Sequence, residues 1–433
     1  MRILLLCNYE PYNAAMVSDH INAFTLYSIH DIVVCSTLVK NQGNIPDRFS
    51  LEEFDVVIIH YSIFLAVDAY VSAKTKDKLK IFQGIKGIFL QDEYRFVNHT
   101  VELIAEIGFH VVFTCIPEES IKQVYPPYIL PGVQFINVLT GYVPEALLAY
   151  KPLSLKHRKF DVSYRGRKYP LWHGRLGLEK WQIADKFLQD AKYFKLRCNI
   201  SYKERDRLYG ARWVNLLQNS IAVLGVESGS SVCDFTGEIS ANVETMQALL
   251  KLDDYEFYRR HYFADLEDKI YFAQISPRCF EAIALRTLCI LYEGEYSGIL
   301  TPWRHFVPLK KDHSNMAEIV ACLKDSIQVS TIISNAYSEI AANPKYSYQN
   351  FIKRVDVILN NIKEAKHIDI SKSLHNQSKL EQKLLQVKDP YSWTIVRNPH
   401  AISNRSYSIL TFIKQIIPNK WKQLIKSLIN NFK

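Results

Sequence analysis

The sequence holds eight cysteines in 433 residues, yet no two are spaced as C-x-x-C, which removes the commonest zinc and dithiol arrangements. No apolar run approaches the roughly 18 residues that a membrane-crossing helix needs, so no span is expected. The turn CNYEPYNAA lacks G-x-G-x-x-G, and Gly225, Gly229 and Gly237 are too loosely placed to substitute for it. A nicotinamide dinucleotide site is therefore disfavoured. Asp-x-Asp occurs near no strand end, which argues against a metal carried on that motif, and there is no short repeat or low-complexity tract. Acidic residues are missing after Asp389, while Arg397, Arg405, Lys414, Lys420, Lys422, Lys426 and Lys433 all follow it. Those cations account for most of the net charge of +9, so the rest of the chain is not a nucleic-acid binder by charge.

What is present is ordinary for a globular protein, with 48% apolar and 22% charged residues, and the length suits two domains with an appendage. Most cysteines sit in apolar runs such as LLLCN, VVCST and VVFTC and read as buried free thiols of a reducing compartment. The apolar stretch of MRILLLCNYE is too short for a signal peptide and reads as a first strand, which predicts a cytoplasmic chain.

Six apolar runs, RILLLCN, DIVVCST, DVVIIH, GIFLQ, HVVFTC and VQFINV, alternate with helix-compatible segments over residues 1–150. Near-continuous β-branched runs of this length fit parallel strands covered on both faces. Between them, Thr100 to Gly108 reads as a helix ended by its glycine. Pro144 to Pro152 reads as a linker, after which the pattern restarts with FDVSYRG, KLRCNIS, IAVLGV, TLCILYEG and HFVPLKK. Helices are predicted near Leu178 to Ala191, near Tyr209 to Asn219 and through most of Asn315 to Lys366. The expected architecture is α/β: two Rossmann-like, doubly wound domains at 1–150 and 151–366 facing a cleft, with a helical basic tail at 367–433. Chemistry is sought at the carboxyl ends of the strands.

In ISPRCFEAIALRTLCILYEG, Ser276 is a good N-cap and Pro277 suits the first helical position, so a helix starts there. Phe280, Ile283, Ala284 and Thr287 mark its inward stripe, and Glu281 lies one step off it, able to meet a ligand or merely to pair with Arg278. Arg165, Arg167 and Lys168 follow the first strand of the second domain, and Arg175 and Lys180 lie in GRLGLEK. Such cations suit a departing diphosphate, although a solvated basic loop looks the same in sequence. Arg165, nearest the strand end, is the first choice, and Arg278 the second. Asp92 and Glu93, in QDEYR, close a strand of the first domain; they suit acceptance of a hydroxyl proton, or a plain ion pair with Arg95. His173 in WHGR is placed for substrate contact or for packing beside Trp172.

The step R-x-F-E-A-x-A followed by a strand resembles the C-terminal-domain signature of GT-B glycosyltransferases, whose glutamate grips a nucleotide ribose. The blocks FLQDEYRF, DVSYRGRKYPLWHGRLGLEK, LGVESGSS, CDFTGEI, SPRCFEAIALR and EGEYSGILTPWRHFVPLKKD resemble a bacterial subgroup associated with surface polysaccharide synthesis, over Met1 to about Asp325. Arg175 and Lys180 resemble the R-x-x-x-x-K pair of retaining members. The usual first glutamate, eight residues before Glu281, is here Ala273, and Glu227 in V-E-S-G-S-S resembles the turn that normally carries it. The glycine expected after IALR is replaced as well, by Thr287 following Arg286.

The resemblance implies a metal-independent glycosyltransferase with no resident cofactor, a nucleotide-sugar donor and a surface-glycan acceptor, lipid-linked or free. A nucleotide-sugar epimerase and a non-catalytic sugar-nucleotide-binding or membrane-adaptor subunit are the other readings. From Asn419 to Phe432, Trp421, Leu424, Ile425, Leu428, Ile429 and Phe432 recur at helical spacing among lysines. Such a helix, about 21 Å long, is too short to cross a bilayer. The stretch 404–433 therefore suits either an anionic membrane surface or docking on the body.

Overall fold

The computed structural model describes residues 1–9, 15–36, 38–46, 50–365 and 393–395. The first half holds strands β1 (Arg2–Leu6), β2 (Asp31–Cys35), β3 (Val56–Ile59), β4 (Ile85–Leu90), β5 (Val111–Thr114) and β6 (Gln134–Asn137). The second holds β7 (Phe160–Arg165), β8 (Cys198–Ser201), β9 (Ser220–Gly225), β10 (Leu288–Tyr292) and β11 (Val307–Leu309). Each apolar run of the sequence became one of these strands. A twelfth, β12 (Trp393–Ile395), pairs antiparallel with β2, so part of the segment expected to be helical is a strand. The sheets run β12-β2-β1-β3-β4-β5-β6 and β11-β10-β9-β7-β8, and every pairing besides that of β12 is parallel.

Strand periodicity sorts the first sheet's side chains into two cores. Leu4, Leu6, Val57, Ile59, Ile88 and Val112 face one way. Ile3, Leu5, Val56, Ile58, Phe89 and Phe113 face the other. The second face is closed by helix Ala15–Tyr27, through Ile21 and Phe24, and by helix Tyr348–Ala365, through Phe351, Ile352, Val355 and Leu359. Asp356 fixes that return, accepting from Ser28 Oγ at 2.8 Å and from the Ile29 amide at 2.9 Å. The chain therefore crosses back, and its last long described helix completes the first half's core rather than the second's. The result is two Rossmann-like halves with a cleft between their strand ends.

The halves also share apolar surface. Leu171, Trp172, Val232, Val243, Tyr258 and Phe272 of the second half join the core of Ile88, Tyr94 and Val101. Backbone bonds join them too, from Asp234 to the Tyr94 carbonyl at 2.8 Å and from Asn98 to that of Phe235 at 3.0 Å. Gly237 sits at this seam with φ of 88°, where a Cβ would lie 2.1 Å from the Phe96 ring.

Local expectations hold with small shifts. The helix read from Thr100 begins at Val97, and Gly108 caps it left-handed at φ 73°. The predicted 178–191 helix is Gly174–Tyr193. Helix Pro277–Ala284 starts after an extended Ser276 whose side chain makes no capping bond. Thr287 falls beyond the helix it was assigned to, donating to the Leu217 carbonyl at 2.8 Å, and the left-handed residue after the helix is Arg286 (φ 55°). All eight cysteines are free. No helix among the described residues is long and apolar enough to cross a membrane. The amphipathic stretch 404–433 lies outside the described residues.

Candidate active site

Parallel sheets gather their loops at the carboxyl edge. The edges of both sheets face one cleft of about 350 Å³. The first half contributes the segments after β4 and β5 and the start of helix Ala15–Tyr27. The second contributes the segments after β7 and β9, the stretch before helix Ala211–Gln218 and the start of helix Pro277–Ala284.

Three cations meet on the second half's side. Lys180 is only 9% exposed, donates to the Gly229 carbonyl at 2.8 Å and stands 4.1 Å from the Tyr169 ring centre. Gly229 (φ 108°) allows that close turn, since a Cβ there would lie 2.3 Å from the Phe272 carbonyl oxygen. Burial lowers the Lys180 pKa; Tyr169 and Asp92 oppose this, while the charges of Arg167 and Arg278 add to it. Arg167 is exposed, 4.3 Å from the same Tyr169 ring. Arg278 donates to the Arg165 carbonyl and lies 5.7 Å from the Trp213 ring centre. All three line the cleft, and none forms an ion pair among the described residues. Like charges held together without an ion-pair partner are what an anion would neutralise.

The acids play different parts. Glu281 lines the cleft and accepts from Trp213 Nε1 at 2.7 Å through Oε2. Burial raises its pKa against the opposing pull of Trp213 and Arg278. The Arg278 pairing proposed as its plain alternative is absent among the described ion pairs, the guanidinium having turned toward Arg165 and Trp213. Glu227, 7% exposed, accepts from the amides of Glu295 at 3.1 Å and Tyr296 at 2.8 Å through Oε1, which ties the turn after β9 to the segment after β10. Burial raises its pKa also.

Asp92 lines the cleft in a left-handed conformation (φ 57°) and accepts from Tyr94 Oη at 2.9 Å. Glu93 also lines the cleft, but its bonds all go to the fold. It accepts from Thr114 Oγ1 at 2.6 Å, Cys115 N at 2.8 Å and Tyr125 Oη at 2.5 Å, joining the ends of β4 and β5, while burial lifts its pKa to about 7. The anticipated pairing with Arg95 does not form; Arg95 reaches Glu244 at 3.9 Å instead.

Four residues read as site candidates are held in contacts within the fold, and of these Arg165 also lines the cleft. Arg165 spends its guanidinium on the carbonyls of Asp206 at 2.9 Å, Tyr164 at 2.7 Å and Asn199 at 2.8 Å, and on Asn199 Oδ1 at 2.7 Å. Its proximity to the strand end, which recommended it, is what lets it staple β7 to its neighbour. Lys168 pairs with Asp253 and leans on Trp181. Arg175 pairs with Glu179 at 2.8 Å and Asp268 at 3.0 Å. His173 is stacked on Trp172 at 3.9 Å, and burial lowers its pKa to about 3, so it is a neutral packing residue.

The sequence reading overlooked Tyr169, Arg207, Tyr209 and Trp213, all of which line the cleft. Trp213 was visible as an apolar residue of a helix, with no signal that its indole N–H would meet Glu281. Among the described residues no cluster of three or more His, Cys, Asp or Glu is arranged to hold a metal ion.

No protein-family model and no curated protein matches this chain. Solved structures do. An Anabaena protein, HepE, in complex with UDP-glucose is 11% identical over 83% of this chain and 100% of that one, with a TM-score of 0.47. An alpha-glucosyltransferase with UDP and a DNA containing an HMU base is 11% identical over 83% and 99%, at 0.48. The T4 phage BGT with UDP-glucose is 11% identical over 86% and 100%, at 0.41.

Proposed function

We propose that this chain transfers a sugar from a nucleotide-sugar donor, with the donor diphosphate lying against Lys180, Arg167 and Arg278. The observation that carries the reading is the convergence of those three cations, unpaired by any described carboxylate, at the carboxyl edge of the second sheet. When the bond between the anomeric carbon and the diphosphate breaks, the electron pair moves onto phosphate oxygen. Cations already held in place stabilise that charge without reorganising, an effect often worth about 2.7–4 kcal/mol for a single donor group. The amino end of helix Pro277–Ala284 adds partial positive charge on the same side.

In this reading Glu281, held by Trp213, accepts from the ribose hydroxyls, and Glu227 orients the sugar by fixing the segment around Glu295 and Tyr296. Tyr209 and Arg207, 5.2 Å from ring centre to guanidinium, offer a stacking face for the base. No resident cofactor or metal is invoked, since side chains supply the counter-charge. The acceptor enters from the first half, past Asp92. A growing surface glycan, lipid-linked or free, is the acceptor proposed from the sequence resemblance, with the basic stretch 404–433 holding the protein at an anionic leaflet and the whole working in the cytoplasm.

A thermal-shift screen with UDP, GDP, dTDP and CMP sugars tests the core of this. A ligand at about 100 times its Kd stabilises the fold by about 2.7 kcal/mol. One nucleotide-sugar class should raise the melting temperature, and release of free nucleotide should follow on addition of acceptor. No shift with any member of the panel would contradict the reading.

A further inference from the structure

Between β7 and helix Gly174–Tyr193 neighbouring side chains part: Arg167 and Tyr169 line the cleft, while Lys168 pairs with Asp253 and leans on Trp181. Gly177 lets that helix press against this segment, since a Cβ there would lie 2.6 Å from the His173 Cβ and 3.6 Å from the Tyr169 Cβ. Lys180, one turn further along the same helix, falls on the same face and so reaches the same ring. The Arg167 guanidinium stands 4.3 Å from the Tyr169 ring centre and the Lys180 ammonium 4.1 Å from it. His173 meets the ring in a T-shaped contact at 5.1 Å and adds no third charge, because burial keeps it neutral.

A carboxylate in that place would hold the cations harder, but it would cancel the charge that attracts a diphosphate, and its ion pairs would have to break before an anion could bind. An aromatic face attracts cations through its quadrupole and leaves their net charge intact. The Tyr169 hydroxyl makes no hydrogen bond among the described residues, so the ring is what this residue contributes. Lys180 has a further hold in the Gly229 carbonyl at 2.8 Å. Arg167 is exposed and forms neither a hydrogen bond nor an ion pair among the described residues, which leaves the ring to hold it. An exposed arginine that nothing holds samples many rotamers, and ordering it when a ligand binds costs affinity.

We infer that Tyr169 is the positioning residue of the anion site: its ring holds Arg167 and Lys180 together, without neutralising them, where the donor diphosphate binds. The inference rests on the sugar-transfer reading and assigns how that site is kept ready for its ligand. Tyr169 acts through the two cations, so weakening its ring lowers anion affinity while the fold is spared.

The test uses the full chain, with inorganic pyrophosphate and the nucleotide sugar found in the screen as calorimetric probes. Tyr169→Leu, which keeps apolar packing and removes the quadrupole, should raise Kd for both probes about tenfold. Tyr169→Phe should stay within about threefold of wild type. Trifluorophenylalanine placed at position 169 keeps the shape of phenylalanine but withdraws its negative face. It should raise Kd toward the Tyr169→Leu value, a difference that packing alone would not produce. In the Arg167→Ala background the leucine substitution should change Kd by no more than about threefold, because one of the two cations it acts through is gone. Tyr169→Leu within about twofold of wild type, a fluorinated ring equal to phenylalanine, or the full loss persisting without Arg167 overturns the role. Should Tyr169→Leu melt early, the comparison of phenylalanine with its fluorinated form decides. Wild type that binds pyrophosphate with this pattern but no nucleotide sugar removes the sugar-transfer reading and upholds Tyr169 as the holder of an anion site. Wild type that binds neither probe overturns both.

Discussion

The indole of Trp213 holds one oxygen of Glu281 at 2.7 Å, a bond between two helices of the second half at the wall of the cleft. The other oxygen has no hydrogen bond among the described residues. This leaves Glu281 oriented but still able to accept from a ligand. Trp213→Phe keeps an aromatic ring near Arg278 while removing the N–H. Loss of a hydrogen bond to a charged group costs about 1.5–3 kcal/mol, so donor affinity should fall roughly ten- to hundredfold. Glu281→Gln should weaken donor binding similarly and leave the melting temperature level or higher, since it removes a buried charge. Unchanged donor affinity in both variants, by calorimetry, would remove Glu281 from the site.

Arg165 gives the opposite expectation. Arg165→Met keeps the aliphatic stem but strands the carbonyls of Tyr164, Asn199 and Asp206, at an expected cost of about 2–4 kcal/mol. Urea midpoints should therefore drop, with donor affinity in the folded fraction changing far less than for Arg278→Ala. A large affinity loss without destabilisation would restore Arg165 as a ligand contact.

Much of the fold was legible because near-continuous apolar runs such as RILLL and DIVVC admit few other readings, and Gly108 announced the end of its helix. The crossing of helix Tyr348–Ala365 to the first half was not legible, because an amphipathic stripe states that a face is buried and not which sheet buries it. The site was half legible for a related reason. Arg165 and Arg167 look alike as basic residues after a strand, but whether a guanidinium meets phosphate or backbone depends on where Asn199 and Asp206 lie.

Acid should destabilise the protein earlier than carboxylates alone would require. His173 and His20 have folded pKa values lowered to about 3 by burial, against an ordinary 6.5. Between those values the unfolded chain binds more protons, so stability is full above about pH 6.5 and falls as pH drops below it. Each histidine contributes a slope of about 1.4 kcal/mol per pH unit in that window. His173→Phe should reduce the slope of unfolding free energy between about pH 6.5 and pH 5 by one proton's worth. An identical slope would mean that His173 is charged in the folded state.

Turnover should persist in EDTA, because Lys180, Arg167 and Arg278 supply the positive charge at the departing diphosphate. A complete loss on chelation, restored by added divalent cation, would contradict that assignment.

Calorimetric titration of the screened nucleotide sugar into wild type and into Arg167→Ala/Arg278→Ala tests the central claim most directly. Removing two of the three cations should raise Kd by about 100-fold or more, about 2.7 kcal/mol, while thermal stability stays close to wild type because neither residue forms a described ion pair. Wild-type Kd should also rise with salt, as expected for a charge-assisted contact. A Kd for the double variant equal to that of wild type would show that the diphosphate lies elsewhere.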